Sequence, residues 1–215
     1  VRAIPPGPTK ETGPVRDPVS MKSSRPEPHH RLKLAVLISG SGTTLQNFID
    51  QIRAGSLNTE ICVVISSRSR VRGIQRALDA GIPNHTVARK DYPSTESFST
   101  SISQHLSPYS PDLICMGGFL DLWHIPLEYE LRVLNIHPSL LPAFGGPGYY
   151  GSRVHQAVLQ SGAKESGCTV HFCTNAYDEG PMILQRKVPV LEGDTPETLG
   201  NRVFTEECQA YPEAI

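Results

Sequence analysis

The sequence has almost no surplus of charge. Its 20 lysines and arginines are balanced by 21 aspartates and glutamates, for a formal net charge of -1 at pH 7. Because nucleic-acid binding relies on basic side chains that neutralise phosphates, this balance argues against a nucleic-acid partner. The sequence also lacks an apolar run of the roughly 20 residues that a membrane-spanning helix requires. We therefore expect a protein that binds neither nucleic acid nor membrane.

Cysteine is scarce and unpatterned. The five cysteines are odd in number, and none forms a C-x-x-C pair. Three lie in apolar runs that predict strands, so buried free thiols and a reducing, cytoplasmic location are expected. The eight histidines have no metal-ligand spacing with these cysteines. We therefore predict no metal site.

Large apolar residues are nearly absent from residues 1–31, which contain seven prolines and two glycines. Such a segment cannot bury enough apolar surface to fold, and it has no apolar core typical of a secretory signal. We predict a disordered tail over 1–31 and one folded domain over 32–215, a length that can bury a sizeable core.

Apolar runs and helical patterns alternate through the folded region, with short connections. The predicted strands are 34–38, 61–65, 85–87, 113–116, 131–134, 167–174 and 182–190. Helices are predicted near 43–52, 73–80, 94–105 and 153–161, with a last one opening at 194–197. This alternation predicts an α/β fold with an open parallel sheet, whose ligands bind at the carboxyl ends of the strands.

A glycine-rich turn, Ser39-Gly40-Ser41-Gly42, separates the first predicted strand from the first helix. The unpaired N–H groups of the turn and of the first helical turn can bind an anion, and Thr43 and Thr44 add hydroxyl donors. Without a Walker lysine or a full G-x-G-x-x-G, a phosphate monoester fits better than a nucleotide. A tight turn that binds nothing is an equally good reading of this segment alone.

Asn135 and His137 follow the predicted strand 131–134. Because side chains alternate along a strand, the two project from the same face. An amide can donate to a developing oxyanion, and an imidazole can carry a proton near neutral pH. Pro138 ends the strand. The alternative is a hydrogen-bonded, structural histidine.

Four further features are ambiguous by themselves. The apolar loop 119–123 suits an aromatic ligand or simply caps the core. The glycine-rich loop 144–151 either closes over substrate or is a plain connector. Asp178 is catalytic or a turn former. Glu207 lies on the apolar face of the last helix, where it needs either an ion-pair partner or a ligand hydroxyl.

Three segments together resemble the folate-dependent formyltransferases, most closely those that act on phosphoribosylglycinamide. They are Leu37–Gln46, Leu134–Pro142 and Tyr177–Gln185, and the resemblance extends over about residues 33–212. It implies a Rossmann-like, mostly parallel sheet of about seven strands with helices on both faces.

The resemblance also implies roles for individual residues. It assigns catalysis to Asn135, His137 and Asp178. It assigns the substrate phosphate to Gly42, Thr43 and Thr44, and the ribose hydroxyls to Glu207. It assigns the folate pocket to Leu120, Asp121, Leu122, Trp123, Asn135 and Tyr177.

The implied reaction transfers the formyl group of 10-formyltetrahydrofolate to the amine of N1-(5-phosphoribosyl)glycinamide in purine biosynthesis. Attack by the amine creates an oxyanion that Asn135 and protonated His137 can stabilise. Asp178 beside His137 is expected to raise the pKa of the imidazole. The expected partners are these small molecules alone, without a metal, and the protein is expected to be a monomer or homodimer.

Two other classes of function stay open on the sequence. A related enzyme could hydrolyse formyltetrahydrofolate or formylate another amine acceptor. A binding module without catalysis could hold a folate or a phosphate ester, although it would have no use for Asn135, His137 and Asp178 together.

Overall fold

A central sheet of seven strands organises the part of the chain that the structure, a computed structural model, describes, which is residues 31–215. Its strands are Leu32–Ile38 (β1), Thr59–Ser66 (β2), Asn84–Thr86 (β3), Leu113–Met116 (β4), Val133–His137 (β5), Glu165–Phe172 (β6) and Met182–Pro189 (β7). The predicted tail 1–31 lies outside the described residues, except for Arg31.

The strands follow the order β3-β2-β1-β4-β5-β6-β7. The pairs from β3 to β5 are parallel, whereas β6 runs antiparallel to both β5 and β7. The expected mostly parallel α/β sheet is therefore confirmed. Because β1 is central and buried on both faces, its continuous apolar sequence is the pattern that such a strand requires.

Helices cover both faces of the sheet. They are Thr43–Arg53 (α1), Arg72–Asp79 (α2), Thr95–Leu106 (α3), Ser152–Ser161 (α4) and Pro196–Ala214 (α5). One buried core joins side chains of α1, α2, α4 and α5 to the sheet, and the other core, on the opposite face, contains α3. Within the described residues, none of the helices combines the length and apolarity needed to cross a membrane.

The fifth strand differs from the prediction. It was expected over 131–134, but β5 begins at Val133 and ends at His137. Leu131 has a φ of 55° and is 59% exposed, so it belongs to a turn and cannot extend the strand. Asn135 and His137 consequently lie inside the last residues of β5, where the sheet hydrogen bonds hold their backbone.

Helix α5 is fastened to the sheet by Tyr211. The hydroxyl of this buried residue lies 2.8 Å from the carbonyl oxygen of Leu134 and 3.2 Å from that of Met116. Its ring meets Phe48 of α1 edge to face, with centroids 5.0 Å apart. Glu207 precedes Tyr211 by four residues and therefore lies on the same face of α5. The anchoring of Tyr211 thus places Glu207 near the ends of β4 and β5.

All five cysteines are free thiols, as the sequence led us to expect. Burial raises the pKa of Cys115 to about 12. Burial, together with the charge of Glu207, raises the pKa of Cys168 to about 12. These two thiols therefore remain protonated at neutral pH and act as small apolar side chains.

Candidate active site

A cavity of about 700 Å³ lies at the carboxyl ends of the parallel strands. Its walls include residues 40–44, 116–123, 135–138, 146–152, members of the turn 173–178, and one stripe of α5 from Pro196 to Glu207. The cavity therefore brings together the glycine-rich turn, the end of β5 and the turn of Asp178, which are far apart in the sequence.

The side chains of Asn135 and His137 project from the same face of β5. Leu134 and Ile136 belong to the core that contains α1, α4 and α5, whereas Val133 belongs to the core on the α3 face. By alternation, Asn135 and His137 lie on the α3 face, at the edge where the strand ends. His137 is only 4% exposed, so its ring is held by protein atoms on most sides.

Asp178 lies between two imidazole rings. Its Oδ2 atom is 3.4 Å from Nδ1 of His137, and its Oδ1 atom is 3.6 Å from Nε2 of His171. The backbone N–H of Gly146 donates to Oδ2 at 2.9 Å. Asp178 has a φ of 58°, a left-handed conformation that aspartate tolerates in turns. This turn points the carboxylate back toward β5.

Both ring nitrogens of His137 face oxygen atoms. Nε2 lies 2.8 Å from the carbonyl oxygen of Phe144, which can only accept, so the proton is on Nε2. Nδ1 faces Asp178. The charge of Asp178 acts to raise the pKa of His137, as expected, but the net shift is downward. Burial lowers the pKa more than the charge of Asp178 and the Phe144 carbonyl raise it, and the charge of His171 lowers it further.

His171 completes the cluster, although the sequence did not single it out. Its Nε2 atom is 3.2 Å from Nδ2 of Asn135, and its Nδ1 atom is 2.9 Å from the carbonyl oxygen of Phe172. If Nδ1 carries the proton for Phe172, Nε2 accepts from the Asn135 amide. The pairing of Asn135 with His171 follows from the register of β5 against β6, which sequence periodicity alone does not predict.

The carboxylate of Asp178 stays ionised. Burial acts to raise its pKa, but the neighbouring His171 imidazole, the charge of His137 and the Gly146 N–H together lower it below the ordinary value. A negatively charged Asp178 can therefore orient the two imidazoles and stabilise a positive charge on His137.

The glycine-rich turn leads directly into α1. Gly42 precedes the helix with a φ of 68°, and no side chain of residues 31–215 caps the first turn. A Cβ atom at Gly42 would lie 2.6 Å from the Cα of Gly73, so only glycine fits there. Within these residues the first N–H groups of α1 thus open onto the cavity unpaired, as an anion site requires.

Glu207 lines the cavity from α5. Among residues 31–215 its carboxylate has no hydrogen-bond or ion-pair partner, and burial raises its pKa to about 7. The sequence allowed either a protein partner or a ligand hydroxyl for Glu207. The prediction of a protein partner is wrong within the described residues. A carboxylate in this setting is free to accept hydrogen bonds from a ligand.

The loop 119–123 also lines the cavity, and the Leu120 N–H donates to Oγ of Ser39 at 2.9 Å. Trp123 is 1% exposed and packs on Tyr129, so the loop also closes the core on the α3 face. Leu120 and Tyr177 are 38% and 41% exposed. Two enclosed polar atoms, Oδ2 of Asp121 and Nε1 of Trp123, have no partner in the described part of the chain.

Gln185, at the end of the third motif, supports the segment that follows β5. Its Nε2 atom donates to the carbonyl oxygen of Leu141 at 2.9 Å, and lies equally close to Oγ1 of Thr169. The Thr169 hydroxyl in turn donates to the carbonyl oxygen of Ser139 at 2.7 Å. These contacts explain why the second and third motifs occur together, since β6 and β7 hold the exit from β5.

Comparison with protein families gives one match over the folded region. The formyl transferase model matches residues 32–215. The phosphoribosylglycinamide formyltransferase of Escherichia coli (strain K12) is 37% identical over 186 residues, which are 86% of this chain and 85% of that protein.

Longer proteins are also similar to this chain. The trifunctional purine biosynthetic protein adenosine-3 of Drosophila pseudoobscura pseudoobscura is 42% identical over 189 residues. Those residues are 86% of this chain, which spans only 14% of the length of that relative. Among solved structures, glycinamide ribonucleotide transformylase 1 from Symbiobacterium toebii superposes with a TM-score of 0.80, at 44% identity and 87% coverage of both chains.

Proposed function

This chain belongs to the formyl transferase family, and we propose that it transfers the formyl group of 10-formyltetrahydrofolate to the amine of N1-(5-phosphoribosyl)glycinamide. The observation that carries this proposal is the cluster of Asn135, His137 and Asp178 inside one cavity that has two different halves. One half has an open helix N-terminus and a free carboxylate, and the other has a largely apolar loop.

The half beside α1 and α5 suits the phosphorylated acceptor. The free N–H groups after Gly42, with the hydroxyls of Thr43 and Thr44, can hold the 5′-phosphate. Glu207 can accept hydrogen bonds from the ribose hydroxyls, because no described protein group occupies its carboxylate. The acceptor would thus be bound through both its phosphate and its ribose hydroxyls.

The half beside the loop 119–123 suits a folate. Leu120, Leu122 and Trp123 give it apolar walls, and Tyr177 adds an aromatic rim. Asp121 also lines this half, and its enclosed Oδ2 atom has no partner among the described residues. Bound there, the folate supplies the formyl group, and the end of β5 lies between it and the acceptor.

The reaction is direct attack of the amine on the formyl carbon. Asn135 keeps one amide N–H for the developing oxyanion while the other is held by His171. Nε2 of His137 exchanges the Phe144 carbonyl for the same oxyanion. Removal of one such donor typically lowers turnover by 100- to 1000-fold, or roughly 3 kcal/mol.

Asp178 stabilises the positive form of His137 as charge develops. Because burial lowers the pKa of His137, the imidazole gives up a proton readily once the transfer is complete. The proton of the attacking amine passes to the leaving folate nitrogen through His137 or a water molecule held by Asp178.

The other parts of the proposal concern partners and place. We infer that the protein is a cytoplasmic monomer or homodimer. Its partners are small-molecule substrates, and its reaction needs no metal. The five free thiols support a reducing compartment.

A spectrophotometric assay of the purified protein with 10-formyltetrahydrofolate, with and without phosphoribosylglycinamide, tests the proposed reaction. Deformylation of the folate only in the presence of the amine is the expected result. Deformylation without the amine would contradict transfer and favour a hydrolase. Folate binding without turnover would favour a binding module.

A further inference from the structure

The described part of the chain supplies no lysine or arginine to the cavity beside its anion site. Among residues 31–215, no lysine or arginine lines it, whereas Asp121, Asp178, Glu197 and Glu207 all do. Histidines are therefore the only described side chains lining the cavity that can carry a positive charge. A phosphate ester in this setting needs every available N–H donor.

Two arginines flank the walls but make other contacts. Arg76 donates to the carbonyl oxygen of Ser41 at 3.0 Å and to Oε1 of Gln46 at 2.7 Å, so it supports the glycine-rich turn from outside. The guanidinium of Arg153 lies 4.7 Å from the ring centre of Tyr150. Neither residue reaches the cavity lining.

His155 is the lining residue without an explanation so far. It lies in α4, is 7% exposed, and makes no hydrogen bond to any described residue. Its Nδ1 atom is fully enclosed without a partner, whereas Nε2 is not enclosed. A neutral imidazole therefore keeps its proton on Nε2, where a partner from the cavity can be reached.

The fold places His155 on the side of the cavity that α5 lines, and His137 is near enough that its charge adds to burial in lowering the pKa of His155. Helix α4 packs on the same face of the sheet as α1 and α5, opposite the face of α3. The His155 ring rests against Gly200 of α5, where a Cβ atom would be 3.1 Å from Nε2. Gly200 and Glu207 belong to the stripe of α5 that lines the cavity.

We propose that the Nε2–H group of His155 donates a hydrogen bond to the phosphate of the acceptor and makes the cavity selective for phosphorylated amines. This inference rests on the proposed function, because it names a further residue for the same acceptor. Gly200 is part of the arrangement, since a methyl group at this position of α5 would lie 3.0–3.1 Å from the ring and displace it.

The alternative is a histidine that only fills space between α4 and α5. Because an unpaired buried polar atom is unfavourable, a histidine that only fills space is expected to have its ring nitrogens hydrogen-bonded within the protein. If they are not, an apolar residue could replace it without loss of stability. The unpartnered nitrogens of His155 and its place in the cavity wall favour a ligand partner.

The test compares phosphorylated and unphosphorylated ligands. Three variants are made: His155→Leu, which removes the donor; His155→Gln, whose amide retains a donor near Nε2; and His105→Leu, a control on α3. Binding of ribose 5-phosphate and of ribose is measured by calorimetry. The kcat/KM for phosphoribosylglycinamide is compared with that for its dephosphorylated form.

We expect His155→Leu to weaken ribose 5-phosphate binding and to reduce the preference for the phosphorylated amine by roughly 10- to 100-fold, the value of a hydrogen bond to a charged group. His155→Gln should recover much of this preference, and His105→Leu should not change it. An equal loss for both forms of the amine would overturn the proposal, because it would indicate a structural role.

Gly200→Ala tests the same contact without changing His155, in case His155→Leu does not fold. Alanine favours a helix, so the variant should be at least as stable as the natural protein while its methyl group displaces the His155 ring. We expect the same selective loss toward the phosphorylated amine. Unchanged selectivity in this variant would overturn the proposal.

The two proposals can fail separately. If the natural protein does not formylate phosphoribosylglycinamide but its binding of ribose 5-phosphate depends on His155, the proposed acceptor is wrong and the phosphate contact stands. If formylation occurs and His155→Leu keeps full phosphate preference, the acceptor stands and the role of His155 is wrong.

Discussion

The Nε2 atom of His137 lies 2.8 Å from the carbonyl oxygen of Phe144. Phe144 begins the glycine-rich loop, and the N–H of Gly146 in the same loop donates to Asp178. The loop therefore contacts both members of the His137 and Asp178 pair. In the proposed mechanism Nε2 of His137 exchanges the Phe144 carbonyl for the oxyanion, so the loop must release Nε2 when substrate binds.

The charge of Asp178 can be tested through the titration of His137. In Asp178→Asn the charge that most raises the imidazole pKa is gone, while burial still lowers it, so the pKa of His137 should fall further. Histidine NMR signals followed against pH measure this change, with His85 as the unaffected control. Turnover at pH 7 should fall at least about 100-fold, because the developing imidazolium loses its counter-charge. Unchanged titration of His137 would contradict the assigned pairing.

His171 should act by positioning Asn135 and Asp178. His171→Leu removes the partner of both side chains, so kcat should fall by roughly 10- to 100-fold. The KM for the folate should change little, because His171 holds the reacting groups and not the walls of the folate pocket. His171→Gln, which can keep a hydrogen bond, should recover part of kcat. A loss confined to KM would argue against this role.

Gly180 is expected to be irreplaceable even though its φ is not positive. A Cβ atom there would be 1.7 Å from the carbonyl oxygen of Phe172. That carbonyl lies 2.9 Å from Nδ1 of His171, so Gly180→Ala should disturb His171 as well as the turn of Asp178. Urea unfolding should show a loss of about 1–3 kcal/mol. Gly40→Ala is the stability control, since its methyl group would meet nothing within 4 Å.

Glu207 should make stability depend on pH. Its pKa in the folded protein is about 7, above the ordinary 4.5, because burial disfavours the ionised form. Between these pH values the folded state binds more protons than the unfolded state, so stability is lost as the pH rises. Glu207→Gln should remove this slope and gain up to about 3 kcal/mol over the natural protein above pH 7.

The control for Glu207 is its neighbour. Glu206 pairs with Arg186 at 3.3 Å near the surface, so Glu206→Gln should leave the pH slope in place. Urea unfolding at pH 5 and pH 8 measures the difference. A slope that persists in Glu207→Gln would mean that another group carries the titration.

The sequence by itself determined the class of fold and three segments of the candidate site. Apolar runs, glycine turns and helical spacing depend on local chemistry, so they predicted an α/β fold with an open parallel sheet. The same local patterns pointed to Gly42, Asn135 and His137, whereas the family resemblance implied a mostly parallel sheet and assigned roles to Asp178 and Glu207. The strand boundary at Leu131 was missed, because its left-handed conformation is set by the turn and not by its apolar side chain.

Only the tertiary structure decided what these residues meet. The partnership of His171 with Asn135 depends on the register of two antiparallel strands, and that of His137 with Asp178 depends on a turn distant in the sequence. The direction of the pKa shift at His137 and the isolation of His155 both depend on burial, which is a property of the packed molecule. Desolvation and long-range contacts are absent from the linear pattern, so the electrostatics of the site emerge only when the sheet and helices are assembled.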